Sequence, residues 1–305
     1  MSQAAARSDY RSSLLGVGAV VVGSVLLGAK GVVAKILYAR GLDFETVVSL
    51  RAVLAIPGFF AIAVWQGGLA PLRHVSRAAW LQAMLAGVIC YAIGASANFF
   101  ALTLIDASVE RALLFSYPAM VVMVGWIASK RRPTALTLVA VVATWLGIAL
   151  TVGAFRQSLF AQNIVGAGWV LFCSATIAYY FMVSAKLTRE MGSAQFTLVA
   201  MTAAGVALAV SYGVRSGWTE IYMDAETWAW FLGLVVFVTV LPLYLIAEGV
   251  RRIGAQRGAI ASTVGPPSAA LLAIAFLGEI VTAGQLAGIA LIVGGILALE
   301  LRLRA

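Results

Sequence analysis

Charged residues are scarce in this sequence, and their scarcity excludes a soluble protein. Lysine, arginine, aspartate and glutamate make up 11% of the 305 residues, whereas 62% of the residues are hydrophobic. Soluble domains carry about 25% charged residues. The chain therefore has too few polar side chains to cover a surface that faces water, and we expect most of it to face lipid.

Residues that carry out catalysis or bind metals are also few. His74 is the only histidine, and the two cysteines, Cys90 and Cys173, fall inside apolar runs. The sequence contains no HExxH or GxSxG motif and no pair of carboxylates deep in an apolar run. We therefore expect no enzyme, no metal site and no cofactor, and we interpret the cysteines as packing residues rather than as a disulfide.

Long apolar runs are what this sequence has in abundance. About 20 mainly apolar residues are needed to span the hydrocarbon layer of a membrane. Ten such runs lie near 14–38, 45–65, 80–102, 107–128, 134–153, 164–186, 194–213, 227–249, 256–277 and 281–301. Because the connections are short, the sequence predicts an all-α polytopic membrane protein that forms one membrane domain.

The basic residues indicate how the runs are oriented. If the N-terminus is cytoplasmic, fourteen of the 21 lysines and arginines lie on the cytoplasmic side, and only Arg40, Arg111, Arg156 and Arg215 lie outside. Cytoplasmic loops of membrane proteins carry such an excess, so we expect both termini in the cytoplasm. The bases form short clusters and no stripe. The expected partners are therefore the lipid bilayer and a small-molecule substrate, not nucleic acid.

The second half of the chain echoes the first half at a constant offset of 148 residues. Pro118 corresponds to Pro266, and Gly147 corresponds to Gly295. Five spans in each half require the second half to insert in the opposite direction, and the basic loop at residues 130–132 accordingly corresponds to a base-free loop around Gly278. We predict two inverted five-helix repeats, residues 1–155 and 156–305, as in secondary transporters.

Prolines within the apolar runs are predicted to bend helices around a central cavity. Proline removes a backbone donor and crowds the preceding turn, which neighbouring helices can compensate in lipid. The predicted bending points are Pro118, Pro242, Pro266 and Pro267. The alternative is that they reflect only the higher frequency of proline in transmembrane helices.

Polar and aromatic side chains within the runs are the candidates for a substrate pathway, because buried polar groups are costly in lipid. The candidates are Lys30, Tyr91, Asn98, Phe115, Tyr117, Trp169, Tyr179, Tyr180, Tyr244 and Ser262. The Asn98 amide suits the carboxylate or ammonium of an amino acid, and it suits an interhelical hydrogen bond equally well. The Ser262 hydroxyl also suits the carbonyl one turn back.

The remaining charges within the runs are interpreted as structural. Arg51 is expected to pair with an acid or with carbonyl groups, and Glu248 is expected to pair with Arg251 and Arg252. No aspartate or glutamate lies at the centre of any run. Since proton-coupled carriers usually need such a carboxylate, we predict weak or no proton coupling.

Two stretches resemble a known family of transporters. Residues 28–55 resemble the first two helices of the EamA-type families of the drug/metabolite transporter superfamily, in which the residues equivalent to Gly28, Lys35 and Arg51 recur. Residues 277–299 resemble the end of these proteins, with Leu-Gly-Glu before the last helix. The resemblance implies ten helices in two inverted repeats, alternating access, and a pathway lined mainly by helices 1, 3, 4, 6, 8 and 9. The chain looks most like the bacterial inner-membrane branch that exports amino acids and related metabolites.

The predicted function is therefore a secondary transporter of the bacterial cytoplasmic membrane that exports amino acids or related small metabolites. A multidrug exporter of organic cations is the alternative, although it would favour deep acids. A nucleotide-sugar or phosphate carrier would favour several cations in the cavity, and only Lys30 and Arg51 qualify. A channel and a membrane enzyme are the remaining readings.

Overall fold

The computed structural model describes residues 3–129, 135–154, 157–216, 221–253, 258 and 261–302, and these residues form helices without any strand. The basic loop at residues 130–132 and the bases Arg156 and Arg257 lie outside the described residues. The α-helices are α1 (Gln3–Gly28), α2 (Lys30–Ala39), α3 (Phe44–Trp65), α4 (Arg77–Gly87), α5 (Ala95–Ala101), α6 (Ala107–Leu114), α7 (Tyr117–Ser129), α8 (Ala135–Val152), α9 (Gln157–Met191), α10 (Ser193–Ser216), α11 (Ala225–Val235), α12 (Leu241–Ile253), α13 (Gly265–Leu277) and α14 (Ala283–Arg302).

Six helical segments of the described chain are long and apolar enough to cross a membrane. They are Leu14–Ala39, Phe44–Trp65, Arg77–Ala101, Ser158–Ser184, Ser193–Ser216 and Ala225–Ile253. Three shorter apolar helices are Leu138–Val152, Gly265–Leu277 and Ala283–Leu297. These helices coincide with runs found in the sequence. The all-helical class is therefore confirmed, while ten crossings in two inverted repeats stay a prediction.

The helix that was predicted to bend at Pro118 is instead interrupted. Helix α6 ends at Leu114 and α7 begins at Tyr117, so that Pro118 lies in the first turn of the new helix. Proline is well tolerated there, because the first N–H groups of a helix have no partner within it. The absent proline N–H therefore costs little, and the predicted bend is corrected to a break.

The same arrangement occurs 148 residues later. Helix α13 begins at Gly265, which places Pro266 and Pro267 in its first turn, after a turn at residues 263–264. The bends predicted at these two prolines are likewise corrected to a helix start. Pro242 differs, because it lies inside the continuous helical segment Ala225–Ile253.

Two of the long segments contain a stretch of π-helix. One stretch is Val88–Gly94, between α4 and α5, and the other is Val236–Val240, between α11 and α12. They begin 148 residues apart, at the same offset as Pro118 and Pro266. A π-helical stretch adds a residue to a turn and is frequent at functional sites. Each stretch contributes side chains to the cavity described below.

Helices from the two halves of the chain pack against each other through glycines. At the contact between α8 and α14, a Cβ atom added to Gly147 would lie 2.7 Å from the carbonyl oxygen of Gly288. At the contact between α1 and α12, a Cβ atom on Gly249 would lie 2.7 Å from the carbonyl oxygen of Gly16. Small residues allow this close approach of helices in membranes. The two halves therefore share one helical core.

The Leu-Gly-Glu segment after α13 holds the beginning of α6. Glu279 accepts hydrogen bonds from the backbone N–H of Ala107 at 2.7 Å, from the N–H of Ser108 at 3.1 Å and from the Ser108 hydroxyl at 2.7 Å. A carboxylate at this place satisfies N–H groups that have no partner within the helix. Asp106, which precedes α6, makes no capping hydrogen bond itself. Glu279 therefore caps α6 from 172 residues away in the sequence.

Candidate functional site

A central cavity of about 950 Å³ lies among the helices. Its wall is formed by side chains from both halves of the chain, for example Ser24 on α1 and Ile296 on α14. Most of them are aliphatic or aromatic, such as Leu114, Phe181 and Leu243. Pockets of this size and apolar character suit small organic ligands, with a few polar groups that orient them.

Lys30 and Asn98 contribute polar groups to the wall, and Glu110 connects them. The Lys30 ammonium donates a hydrogen bond to the Asn98 side-chain oxygen and another to Glu110 Oε1, the latter at 3.0 Å. The Asn98 amide nitrogen donates to the same Glu110 oxygen at 2.6 Å. Glu110 is 0% exposed and does not form part of the wall. It therefore orients Lys30 and Asn98 from behind the cavity surface.

Arg51, on α3, is a second cation in the wall. Its guanidinium lies 5.0 Å from the centre of the Phe99 ring, and the Lys30 ammonium lies 5.8 Å from the same centre. Arg51 donates a long hydrogen bond of 3.5 Å to the hydroxyl of Thr239, in the second π-helical stretch. Its Nε has no hydrogen-bond partner among the described residues. The cation is thus held mainly by the face of an aromatic ring.

Arg111, on α6, is the third cation of the wall, and it is only 6% exposed. It lies against the start of α13, because a Cβ atom added to Gly265 would be 3.1 Å from Arg111 Nη2. Its Nε also has no hydrogen-bond partner in the described part of the chain. Neither Arg51 nor Arg111 has a carboxylate within ion-pair distance among those residues.

Aromatic rings complete the cavity wall. Tyr91 meets Tyr180 edge to face with ring centres 5.0 Å apart. Tyr117 stacks on Phe181 at 5.1 Å and meets Phe115 at 6.2 Å. Rings with a polar edge give such a cavity apolar contact area together with a few hydrogen-bonding groups.

The structure brings most of the predicted pathway residues together. The cavity wall contains Lys30, Tyr91, Asn98, Phe115, Tyr117, Tyr180 and Ser262, together with Pro118. The described cavity does not include Pro242, Pro266 or Pro267. The prolines thus lie at helix starts or inside a helix, and Pro118 alone of the four faces the cavity.

Three predicted pathway residues lie elsewhere. Trp169 lines a separate pocket of about 400 Å³, beside Phe100 and Phe172. Tyr179 is exposed on the outside of the helical bundle, because it points away from its neighbour Tyr180 on α9. Tyr244 packs on Trp65 with ring centres 5.5 Å apart. Helical spacing on its own therefore did not identify which face of α9 and α12 meets the cavity.

Two charged residues of α6, Glu110 and Arg111, were not expected beside the cavity. Arg111 was counted among the bases outside the membrane, and Glu110 was not considered, yet all eight residues of α6 are buried. Glu110 lies near the start of the run 107–128 rather than at its centre, and it binds the two pathway candidates Lys30 and Asn98. Arg51, for which an acid or carbonyl groups were expected as partners, donates instead to the Thr239 hydroxyl and has no ion pair among the described residues. Glu248, as predicted, pairs with Arg251 and Arg252, both at 2.7 Å.

Comparison with known proteins identifies the family. The model of the EamA-like transporter family matches residues 14–153 and again residues 164–301. An uncharacterized transporter of Bacillus subtilis (strain 168), YcbK, is 31% identical over 277 residues, which are 90% of this chain and 88% of that protein. An uncharacterized transporter of Archaeoglobus fulgidus is 24% identical over 94% of this chain and 97% of its own length. The chain therefore belongs to the EamA-like transporter family and is a multi-pass membrane protein, and the resemblance found in the sequence is confirmed.

A solved crystal structure has the same fold. It aligns with a TM-score of 0.65 over 97% of this chain and 99% of its own, at 17% sequence identity. A likeness at this level of identity concerns the fold alone. The function therefore has to be argued from the cavity.

Proposed function

We propose that this protein is a secondary transporter that exports amino acids or related small metabolites by alternating access. The observation that carries the proposal is the central cavity, whose wall combines Lys30 and Asn98 from the first family-matched stretch with Thr239 and Ser262 from the second. A site shared between two halves is the arrangement by which secondary transporters open to one side and then to the other.

Helix interruptions beside the cavity support this mechanism. The break between α6 and α7 and the turn before α13 lie next to the wall residues Phe115, Pro118 and Ser262. Interrupted helices in membranes occur where the backbone is buried in protein or lines a cavity. Two such points at equivalent positions would let one half of the chain move against the other.

The composition of the cavity supports small metabolites over organic cations. Aromatic and aliphatic side chains form most of the wall, while Lys30, Arg51 and Arg111 are all positive. A site for organic cations would place carboxylates or bare ring faces where the cation binds. Among the described residues of the wall and those bonded to its polar groups, Glu110 is the one buried carboxylate. Its charge is already neutralised by Lys30.

The position of the same carboxylate supports weak or absent proton coupling. A carboxylate that carries protons has to be reached from the cavity, whereas Glu110 is buried and lies outside the wall. Glu110 binds Lys30 at 3.0 Å and Asn98 at 2.6 Å. A proton flux that accompanies substrate in proteoliposomes would contradict this part of the proposal.

Transport in proteoliposomes tests the function. We would load vesicles with neutral, basic, acidic and aromatic amino acids, their 2-oxo acids and organic cations, and measure uptake of the labelled compound against each internal load. Acceleration by an internal amino acid or metabolite supports a carrier with alternating access. Flux that no internal load accelerates would indicate a channel, and carriage of organic cations alone would favour the alternative.

Membrane orientation is tested separately. We propose the bacterial cytoplasmic membrane with both termini in the cytoplasm, on the basis of the distribution of bases. A reporter enzyme that is active only in the cytoplasm, fused after Ala305, should be active. A periplasmic reporter active at the same position would reverse the orientation.

A further inference from the structure

The charges of the central cavity specify the class of substrate. We propose that the cavity selects organic anions, with the substrate carboxylate bound by Arg51 and Arg111 and the apolar body lying along the aliphatic wall. This inference rests on the proposed transport function and narrows it. A 2-oxo acid or another carboxylate of net negative charge would be carried at least as well as the corresponding amino acid.

The wall has a surplus of positive charge. Lys30, Arg51 and Arg111 line the cavity, and Glu110 behind the wall neutralises one of them by its ion pair with Lys30. Two guanidinium groups therefore remain without a counter-ion among the described residues. A charge within a membrane protein is costly unless it meets a partner or water. An anionic ligand supplies the missing partner.

Unsatisfied hydrogen-bond donors point to the same conclusion. Arg51 Nε and Arg111 Nε are buried without a partner among the described residues, and the hydroxyl of Ser24, also in the wall, has none there either. Buried polar groups are normally hydrogen-bonded. A guanidinium is a planar fork of donors that matches a carboxylate, so an anionic ligand would supply the acceptor that each arginine lacks.

The cavity has no corresponding place for an ammonium group. Glu110 Oε1 already accepts hydrogen bonds from both Lys30 and Asn98, while Glu110 Oε2, which has no hydrogen-bond partner among the described residues, belongs to a buried side chain outside the wall. Asn98 uses its side-chain oxygen to accept from Lys30. An amino group brought into this region would face three cations without a free carboxylate in the described wall. Recognition of an amine is therefore not part of the site.

The remainder of the wall accommodates an apolar body. From Thr239 in the second π-helical stretch, which contacts Arg51, the lining continues along α12 through Leu243 and Ile246 to Val250. Since a helix rises about 1.5 Å per residue, this wall is about 16 Å long. Phe115 and Phe181 face the same cavity from other helices. The polar groups thus lie beside one end of an otherwise apolar surface.

Matched triplets of compounds test the inference in the wild-type protein. Each triplet contains an amino acid, its 2-oxo acid and its decarboxylated amine, with the side chains of leucine, phenylalanine and methionine. We expect the 2-oxo acid to compete for uptake at least as well as the amino acid, and the amine to compete at least about tenfold more weakly. A membrane potential set with potassium and valinomycin, negative inside, should slow uptake of the 2-oxo acid.

Substitutions of Arg51 and Arg111 test whether these two residues bind the substrate carboxylate. Arg51→Gln and Arg111→Gln should each weaken competition by the 2-oxo acid by about ten- to a hundredfold, the value of a charge-assisted hydrogen bond. The matched control is Arg73→Gln, at an exposed arginine that is not part of the cavity wall. Arg51→Lys and Arg111→Lys keep the positive charge but lose the planar guanidinium, so competition by the 2-oxo acid should weaken less than in the glutamine variants. Should the variants fail to fold, the triplets and the potential dependence decide the question alone.

The outcomes separate this inference from the function on which it rests. Uptake of amino acids with no competition by the 2-oxo acids would overturn the anion site and leave the transporter standing. Equal competition by amines would also overturn it. Uptake of no compound in the whole panel would remove the proposed function, and the anion site with it.

Discussion

The Lys30 ammonium and the Glu110 carboxylate lie 3.0 Å apart in the centre of the protein, although 80 residues separate them in the sequence. Both side chains are largely buried, and Asn98 bonds to both of them. The pair fixes α6 against the start of α2, so that Arg111, the next residue, faces the cavity. Glu110, which lies outside the cavity wall, thus determines the positions of Lys30 and Arg111 in the wall.

Replacing only one member of the Lys30–Glu110 pair should destabilise the protein more than replacing both members. Glu110→Gln or Lys30→Met leaves one buried charge without its partner, which costs about 3–5 kcal/mol in buried pairs. The double variant leaves no unpaired charge and should lose clearly less than the sum of the two single variants. Unfolding of the purified protein in detergent, followed by circular dichroism, measures all three.

An exposed ion pair provides the control for that experiment. Arg40 and Glu226 are also bonded, but with partly exposed side chains. Their single and double variants should each change the free energy of unfolding by about 1 kcal/mol or less. Additive losses at Lys30 and Glu110 would show that the two residues act independently, contrary to the geometry.

Replacing Glu279 should loosen the beginning of α6. Glu279→Gln keeps a hydrogen-bonding oxygen but removes the charge that faces the helix N-terminus and Lys35, which lies 3.8 Å away. Loss of an N-terminal cap typically costs about 1 kcal/mol, so Glu279→Ala should lower the melting temperature more than Glu279→Gln does. Glu45→Gln, at the largely exposed pair with Arg215, is the matched control and should have little effect. An unchanged melting temperature in Glu279→Ala would refute the capping role.

Asp106 should make stability depend on pH. Burial, and then the nearby charge of Glu279, raise the pKa of Asp106 above its ordinary value, while Lys35 acts in the opposite direction. A carboxyl whose pKa is higher in the folded state binds protons more tightly there, so the free energy of unfolding contributed by this group falls as the pH rises through that range. Asp106→Asn should therefore match the wild type near pH 4 and melt at a higher temperature near pH 7. If the difference in melting temperature between Asp106→Asn and the wild type shrank as the pH rises, the raised pKa of Asp106 would be contradicted.

Adjacent glycines on α14 should respond very differently to the same substitution. A Cβ atom at Gly295 would lie 2.6 Å from the Thr144 hydroxyl and 2.7 Å from the Ala140 carbonyl oxygen, whereas at Gly294 no atom of the described residues would lie within 4 Å. Gly295→Ala should force α8 and α14 apart and lower the yield of folded protein. Gly294→Ala should be neutral or stabilising by up to about 1 kcal/mol, because alanine favours the helix. Equal effects at both positions would exclude close packing at this contact.

The helices and the family were predictable from the sequence because they depend on local properties. Hydropathy located runs such as 45–65 and 194–213, which the structure shows as Phe44–Trp65 and Ser193–Ser216. Two motifs identified the family. Lys30 and Asn98 were placed in the pathway because a polar group in an apolar run needs a partner.

The parts that escaped prediction depend on how helices are arranged in space. Glu110 and Arg111 stand near the start of an apolar run, where sequence alone suggests exposure, but the other helices enclose α6 completely. Trp169 and Tyr244 have the right chemistry for the pathway and lie on helix faces that turn elsewhere. The prolines were recognised as unusual, whereas the helix breaks before Pro118 and Pro266 are seen only in the structure.

The π-helical stretch Val88–Gly94 determines how the following residues are rotated about the helix axis. If the same residues were wound as an ordinary α-helix, everything after them would turn by about 100°. Asn98 would then leave Lys30, and Phe99 would leave the two cations that share its ring. One surplus residue in a turn thus keeps the amide and the ring in phase with their partners on α2, α3 and α6.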